Sequence, residues 1–124
     1  MEGSSNGKAV INLATGHEDA DRVTVAFLVA TAALTAGKSV VMFLTKEAVR
    51  LATPGYADAI ETAGAPPVAR LFAQFAEGGG ELYACPICLE ARKLDADGLV
   101  SNARVAGATP LWEFIGGGAT VFSY

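Results

Sequence analysis

Two short apolar runs constrain the fold most: residues 9–14 (AVINLA) and residues 39–44 (SVVMFL). Each has the length of a strand, is rich in branched side chains and carries no charge, as is typical of a parallel strand buried on both faces. Between them, Asp19 and Asp21 mark a helix start, and Gly37 is a typical residue just past a helix end. A helix over residues 19–36 therefore joins the two strands.

The same kinds of sequence pattern predict the remaining elements of the chain. It predicts a short helix over residues 45–51, a helix that begins at Pro67, strands at residues 81–84, 104–107 and 119–124, and helices after Cys85 and over residues 111–115. Residues 52–67 hold little regular structure beyond residues 58–62, and form either a functional lid or a plain surface excursion. The order predicts a single α/β domain over residues 1–124, with three layers and a mostly parallel five-stranded sheet.

The chemistry of the chain centres on ELYACPICLEARK, residues 81–93, where a strand runs into a helix at Cys85. Pro86 suits the first helical position, which leaves Cys85 at the cap. A thiol there faces the free N–H groups and the positive end of the helix dipole, which favour thiolate over thiol. Cys85 is the candidate nucleophile.

Cys88 follows one turn later, on the same face of the helix. It either resolves a disulfide or persulfide formed on Cys85, or packs against the sheet as a small buried residue. Because access and thiolate character both favour Cys85, we expect Cys85 to react first.

Ligands of open α/β folds bind outside the carboxyl ends of the strands. The loop at His17 and the turn at Cys85 share that edge if the sheet is parallel. Tyr56, in the long loop, together with Pro86 and Ile87, completes the predicted substrate site. His17 either forms a dyad with Cys85 or is simply solvated.

Composition narrows the classes of function. Hydrophobic residues make up 52% and charged residues 18%, and residues 23–34 are apolar nearly all round a helix, so a homo-oligomer is expected. The net charge of −4 and absence of a basic cluster exclude a nucleic-acid surface.

No membrane segment or signal peptide is recognisable, which predicts a cytoplasmic protein with reduced thiols. One His and two Cys do not make a structural zinc site in one protomer, and no GxGxxG is present, so no metal or cofactor is expected.

The segments GGGELYACPICLEAR and VAGATPLWEFIGGGATVFSY, with the order of elements, resemble the DsrE/DsrF-like family of small sulfur-relay proteins. The resemblance implies a flavodoxin-like fold, homotrimers or hexamers, and a cysteine that carries persulfide sulfur between donor and acceptor proteins. That cysteine matches Cys85, whereas Cys88 has no counterpart in many members. The Cys-x-x-Cys pattern is similar to the branch described as predicted peroxiredoxins.

Three functions remain open at this point. The first is a cytoplasmic sulfur carrier or sulfurtransferase with a persulfide on Cys85. The second is a thiol-disulfide or peroxide-reducing enzyme in which Cys85 attacks and Cys88 resolves. The third is an oligomeric binding module whose cysteines are inert.

Overall fold

The computed structural model of the protein describes residues 7–124, in which strands and helices alternate. The strands are β1 (Lys8–Leu13), β2 (Ser39–Leu44), β3 (Glu81–Ala84), β4 (Ala103–Val105) and β5 (Thr120–Ser123). The α-helices are α1 (Ala20–Thr35), α2 (Val68–Glu77), α3 (Pro86–Ala91) and α4 (Ala108–Ile115). Short 3-10 helices cover His17–Asp19, Lys46–Ala52 and Tyr56–Ala59.

The five strands form one sheet in the order β4-β3-β2-β1-β5, and every neighbouring pair is parallel. The predicted α/β architecture is confirmed, with a fully parallel sheet where a mostly parallel one was expected. The chain steps across the sheet in one direction from β1 to β4 and then returns to β5. Since crossover connections are right-handed, α1, α2 and α3 lie on one face and α4 lies on the other.

The larger core lies between the first face of the sheet and helices α1 and α2. Its strand residues include Ile11, Met42 and Leu82, all fully buried. Phe27 of α1 meets Phe75 of α2 edge to face, with ring centroids 5.9 Å apart, a favoured geometry for aromatic pairs. This packing holds the strands rigidly and so fixes the edge at which they end.

The second face has a thinner cover. Val41 and Tyr83 are buried there against Leu111 and Phe114 of α4, yet every residue of α4 keeps some exposure to solvent. Trp112 on its outer side is 70% exposed. Val121, which pairs with Val10 in the sheet, is 50% exposed. Apolar side chains therefore remain open on this face.

Both ends of α1 lie beside the residues that predicted them, Asp19 at the start and Gly37 at the end. Asp19 precedes the helix, and its Oδ1 accepts the backbone N–H of Arg22 at 3.0 Å. At the other end Gly37 has φ +88°, the left-handed conformation that glycine adopts without strain. Its N–H donates to the carbonyl of Leu34 at 2.9 Å, and the N–H of Lys38 donates to the carbonyl of Ala33 at 3.0 Å. This pattern is a Schellman motif.

Three predicted elements have a boundary that differs from the structure by two residues or more, and the other predicted bounds agree to within one residue. Helix α4 begins at Ala108 and not at Leu111, so Pro110 lies third in the helix; the N–H groups of a first turn have no partner within the helix, and proline is tolerated there. Strand β4 ends at Val105, two residues before the predicted end. The turn of helix in the long loop is Tyr56–Ala59, earlier than the predicted residues 58–62.

Candidate functional site

The carboxyl ends of the strands gather three connecting segments at one edge of the sheet. The backbone N–H of Thr45, after β2, donates to the carbonyl of Leu13 at the end of β1, at 3.0 Å. The N–H of Cys85, after β3, donates to the carbonyl of Leu44 at the end of β2, also at 3.0 Å. The three segments are thus tied together immediately beyond the strands.

Cys85 occupies the position that the sequence predicted, between β3 and α3. Its backbone is extended (φ −61°, ψ 123°), and Pro86 is the first residue of the helix. The N–H of Leu89 donates to the carbonyl of Cys85 at 3.0 Å, which closes the first helical turn. Within residues 7–124 the Cys85 side chain makes no capping hydrogen bond to that turn. The thiol is half-buried and free.

Cys88 lies in the same turn and is also half-buried. Its Sγ accepts the backbone N–H of Lys46 at 3.2 Å, within the range for a sulfur acceptor. Lys46 has φ +52°, which is uncommon for a residue with a side chain. The sequence pointed to Cys85 as the sulfur that would meet N–H donors; in the structure a donor from another segment meets Cys88.

A cluster of charges fastens α3 to the segment that follows β2. The carboxylate of Glu47 accepts Nε–H of Arg92 at 2.5 Å and Nε–H of Arg50 at 2.8 Å. Arg92 also donates from Nη1 to the carbonyl of Cys88 at 3.3 Å. The hydrogen bond from Arg92, followed by that from Arg50, lowers the pKa of Glu47. The cluster holds Lys46 next to Cys88.

His17 and Tyr56 form a second group at the same edge. Their rings stack with centroids 3.7 Å apart and planes 5° apart. The backbone N–H of His17 donates to Tyr56 Oη at 2.9 Å, and His17 Nε2 lies 2.9 Å from the carbonyl oxygen of Tyr56. A carbonyl only accepts, so Nε2 carries the proton. The ring hydrogen bond of His17 therefore goes to Tyr56 and not to Cys85.

Because Gly16 has no side chain, Tyr56 can lie close to the loop after β1. A β carbon at Gly16 would overlap Tyr56 Oη and would lie 3.1 Å from the carbonyl oxygen of Glu47. The two groups of the site therefore adjoin the same short segment, since Lys46 contacts Cys88 and Glu47 contacts Gly16. The structure brings the predicted residues to one edge in two groups, with this segment between them.

The long loop lies at the carboxyl edge, as its predicted role requires. Tyr56 meets the loop after β1, and Thr62 Oγ1 donates to Asp21 Oδ1 at 2.9 Å near the start of α1. Pro86 is exposed, and Ile87, between the two cysteines, is 76% exposed. Both are available for contact with a substrate or a partner.

Sequence reasoning missed Lys46, Glu47 and Arg92. Lysine rarely adopts a left-handed backbone, so nothing in the sequence predicts that conformation at Lys46. Glu47 and Arg92 are 45 positions apart, so only the fold pairs them. Among residues 7–124, no three His, Cys, Asp or Glu side chains cluster as metal ligands, and no helix is long and apolar enough to cross a membrane.

Solved structures with the same fold come from several organisms. The ychN protein from E. coli shares 13% identity at a TM-score of 0.76, over 95% of this chain and 99% of that one. A protein of unknown function from Methanobacterium thermoautotrophicum shares 14% identity at a TM-score of 0.66, over 96% and 100% of the two chains. A conserved protein of unknown function from Bacteroides thetaiotaomicron shares 17% identity at a TM-score of 0.62, over 93% and 94%. At these identities the likeness shows the fold alone.

A comparison with curated protein sequences gives no match. The sequence profile of the DsrE/DsrF-like family, which is associated with sulfur relay, matches residues 8–124. The match spans all five strands and both groups of the site. The chain belongs to the DsrE/DsrF-like family.

Proposed function

We propose that the protein is a sulfur carrier that takes sulfane sulfur as a persulfide on Cys85 and passes it to an acceptor thiol. The position of Cys85 carries the proposal: it directly follows a buried strand, at the edge of the sheet where open α/β folds bind ligands, and its thiol takes no part in capping α3. Persulfide transfer needs an accessible thiolate on a rigid support. Family membership supports the same chemistry, with sulfur donor and acceptor proteins as partners in the cytoplasm.

A second candidate is a thiol-disulfide or peroxide-reducing enzyme. The observation that favours it is the placement of Cys85 and Cys88 in one helical turn, closed by the hydrogen bond from Leu89 N–H to the Cys85 carbonyl. The nearness of the two cysteines supports this candidate, because a disulfide forms only between cysteines whose β carbons come within about 3.5–4.5 Å.

Intact-protein mass spectrometry separates the candidates. The reduced protein is mixed with polysulfide, and in a second sample with hydrogen peroxide, and both are quenched with iodoacetamide within seconds. The sulfur carrier gains one sulfur atom from polysulfide, and Cys85→Ser does not. A protein that gains no sulfur at any time, but loses two hydrogens in peroxide, is the oxidoreductase. A protein unchanged by both reagents is a binding module with inert cysteines.

We further propose that the protein is a homo-oligomer, a trimer or hexamer by resemblance to its family. The second face of the sheet supports this, because Trp112 is 70% and Val121 50% exposed. On α1, Val25 and Leu28 are exposed as well. A second copy of the chain is the occupant that would cover such apolar surface.

Light scattering after size exclusion measures the assembly. Trp112→Arg is expected to lower the assembled mass, because a charge would be buried in the interface. Asp58→Arg, at another exposed site, on the long loop, is the control. A monomeric wild-type protein at micromolar concentration would contradict the assembly.

A further inference from the structure

The two cysteines of α3 have unequal surroundings. Cys88 Sγ accepts the backbone N–H of Lys46 at 3.2 Å. A backbone donor fixed in this way stabilises negative charge that develops on the sulfur. Cys85 uses its own N–H on the carbonyl of Leu44 at 3.0 Å, and this bond holds the junction rather than the thiol. Cys88 Sγ is therefore held by a hydrogen bond, whereas the Cys85 side chain makes no capping hydrogen bond to α3 within residues 7–124.

The support for Lys46 is itself built into the fold. Its left-handed backbone, φ +52°, is strained for a residue other than glycine. The neighbouring Glu47 binds Arg92 of the α3 end, and Arg92 binds the Cys88 carbonyl. Two contacts thus reach Cys88, from the Lys46 N–H to its Sγ and from Arg92 to its carbonyl. The ion pair of Glu47 with Arg92 links the two segments that supply them.

We propose that Cys88 is the resolving thiol of this site and that sulfur loaded on Cys85 leaves as hydrosulfide when no acceptor thiol takes it; this rests on the proposed persulfide chemistry. The Cys88 thiolate attacks Cys85 Sγ, the bond from that Sγ to the outer sulfur breaks, and hydrosulfide leaves with the electron pair. The proton of the Cys88 thiol passes to solvent. The two thiol sulfurs lose two electrons in forming the disulfide, and the sulfane sulfur gains them.

A dithiol reductant then returns the site to its starting state. Its thiolate attacks the Cys85–Cys88 disulfide, and its second thiol completes the exchange, so the reductant leaves as a disulfide. Ile87, 76% exposed between the two cysteines, offers the apolar contact on which such a partner would dock. The protein would then turn sulfane sulfur into sulfide at the expense of dithiols.

The two cysteines are held in the same turn. The carbonyl of Cys85 accepts the N–H of Leu89 at 3.0 Å, so Cys88 lies within the turn that this bond closes. A disulfide requires the two β carbons about 3.5–4.5 Å apart. Cys88 leaves the Lys46 N–H as the disulfide forms, so the hydrogen bond supports the thiolate before attack and is absent afterwards.

The test loads the reduced protein with polysulfide without oxygen, desalts it rapidly, and follows released sulfide and intact mass. The wild type is expected to release one sulfide per loaded protein and to end two hydrogens lighter, with no extra sulfur. Cys88→Ser is expected to keep the sulfur bound. Wild-type protein that holds its sulfur with both thiols reduced overturns the inference and leaves the carrier intact. Wild-type protein that never gains sulfur overturns the proposed function, and the inference falls with it.

Lys46→Val tests the positioning residue, because a β-branched side chain disfavours the left-handed backbone that directs the N–H. The matched control is Lys93→Val, since Lys93 has the same conformation, φ +55°, at the far end of α3. Release from Lys46→Val is expected to slow about threefold relative to the control, because the displaced N–H no longer stabilises negative charge on Cys88 Sγ. Lys46→Gly, which adopts the left-handed backbone without strain, is expected to release sulfide at the wild-type rate. Equal rates for Lys46→Val and Lys93→Val, or equally slow release from Lys46→Gly, exclude this role of Lys46.

Discussion

Gly16 supports the pairing of His17 with Tyr56, and its replacement by alanine tests that geometry directly. The added β carbon would overlap Tyr56 Oη, and would lie 3.2 Å from Tyr56 Cζ and 3.1 Å from the carbonyl oxygen of Glu47. The last contact is with backbone, which cannot rotate away as a side chain can. Gly16→Ala must therefore displace Tyr56, the loop that follows β1, or both.

The loss of stability expected in Gly16→Ala follows from the contacts that Tyr56 makes. Moving its ring removes the hydrogen bond from His17 N–H to Tyr56 Oη, 2.9 Å long, and the stacking of the rings at 3.7 Å. Each contributes about 0.5–1.5 kcal/mol. Because His17 is exposed, water replaces part of the lost hydrogen bond. We expect Gly16→Ala to lower the free energy of unfolding by about 1–2 kcal/mol.

Urea unfolding at a single protein concentration measures this change. Gly117→Ala is the matched control, because a β carbon at Gly117 meets nothing within 4 Å; it is expected to be neutral or slightly stabilising. In a Tyr56→Phe background, which lacks Oη, the cost of Gly16→Ala should fall. If Gly16→Ala and Gly117→Ala unfold with the same free energy, the close approach of Tyr56 to Gly16 does not contribute to stability.

Three further predictions concern the frame around the site. Asp19→Ala removes the side-chain acceptor at the start of α1 and is expected to lower the free energy of unfolding in urea by about 1 kcal/mol. Phe27→Ala empties a fully buried position and should cost about 3–5 kcal/mol in the same assay, with an effect below 2 kcal/mol contradicting a tightly packed core. Arg92 and Arg50 lower the pKa of Glu47 in the folded protein. The stability that Glu47 contributes is therefore fully present above the pKa of a glutamate in the unfolded chain, about 4.3, and is lost as pH falls through the lowered pKa of the folded protein. The difference in stability between wild type and Glu47→Gln should therefore shrink between neutral pH and about pH 3, and a difference that is constant over this range would exclude the linkage.

The sheet was predictable because its strands are short apolar runs with sharp ends. The predicted bounds of β2 and β3, residues 39–44 and 81–84, coincide with the observed ones. These two strands lie in the interior of the sheet. The apolar run of β2, residues 40–44, reflects burial on both faces, and β3 is bounded by Gly78-Gly79-Gly80 before it and by Pro86 soon after it. Edge strand β4 is half-exposed and only three residues long, so its pattern is weaker and its predicted end was two residues late.

The helix start at Cys85 was also predictable, because Pro86 carries a local conformational preference that does not depend on the rest of the fold. The contact from Lys46 to Cys88 was not predictable, since it joins residues 42 positions apart through an unusual backbone conformation. The pairing of His17 with Tyr56 spans 39 positions. The one sequence signal for it is Gly16, a residue without a side chain in a loop where another segment approaches closely.

Cys85 is expected to receive the sulfur, and the position of the added atom tests this assignment most directly. The protein is exposed to polysulfide, quenched with iodoacetamide within seconds and digested. Fragment ions that break the chain at Pro86 or Ile87 then separate the two cysteines. We expect the extra sulfur on Cys85 and none on Cys88 in the first seconds. Sulfur found on Cys88 alone, or shared equally between the two cysteines, would contradict it.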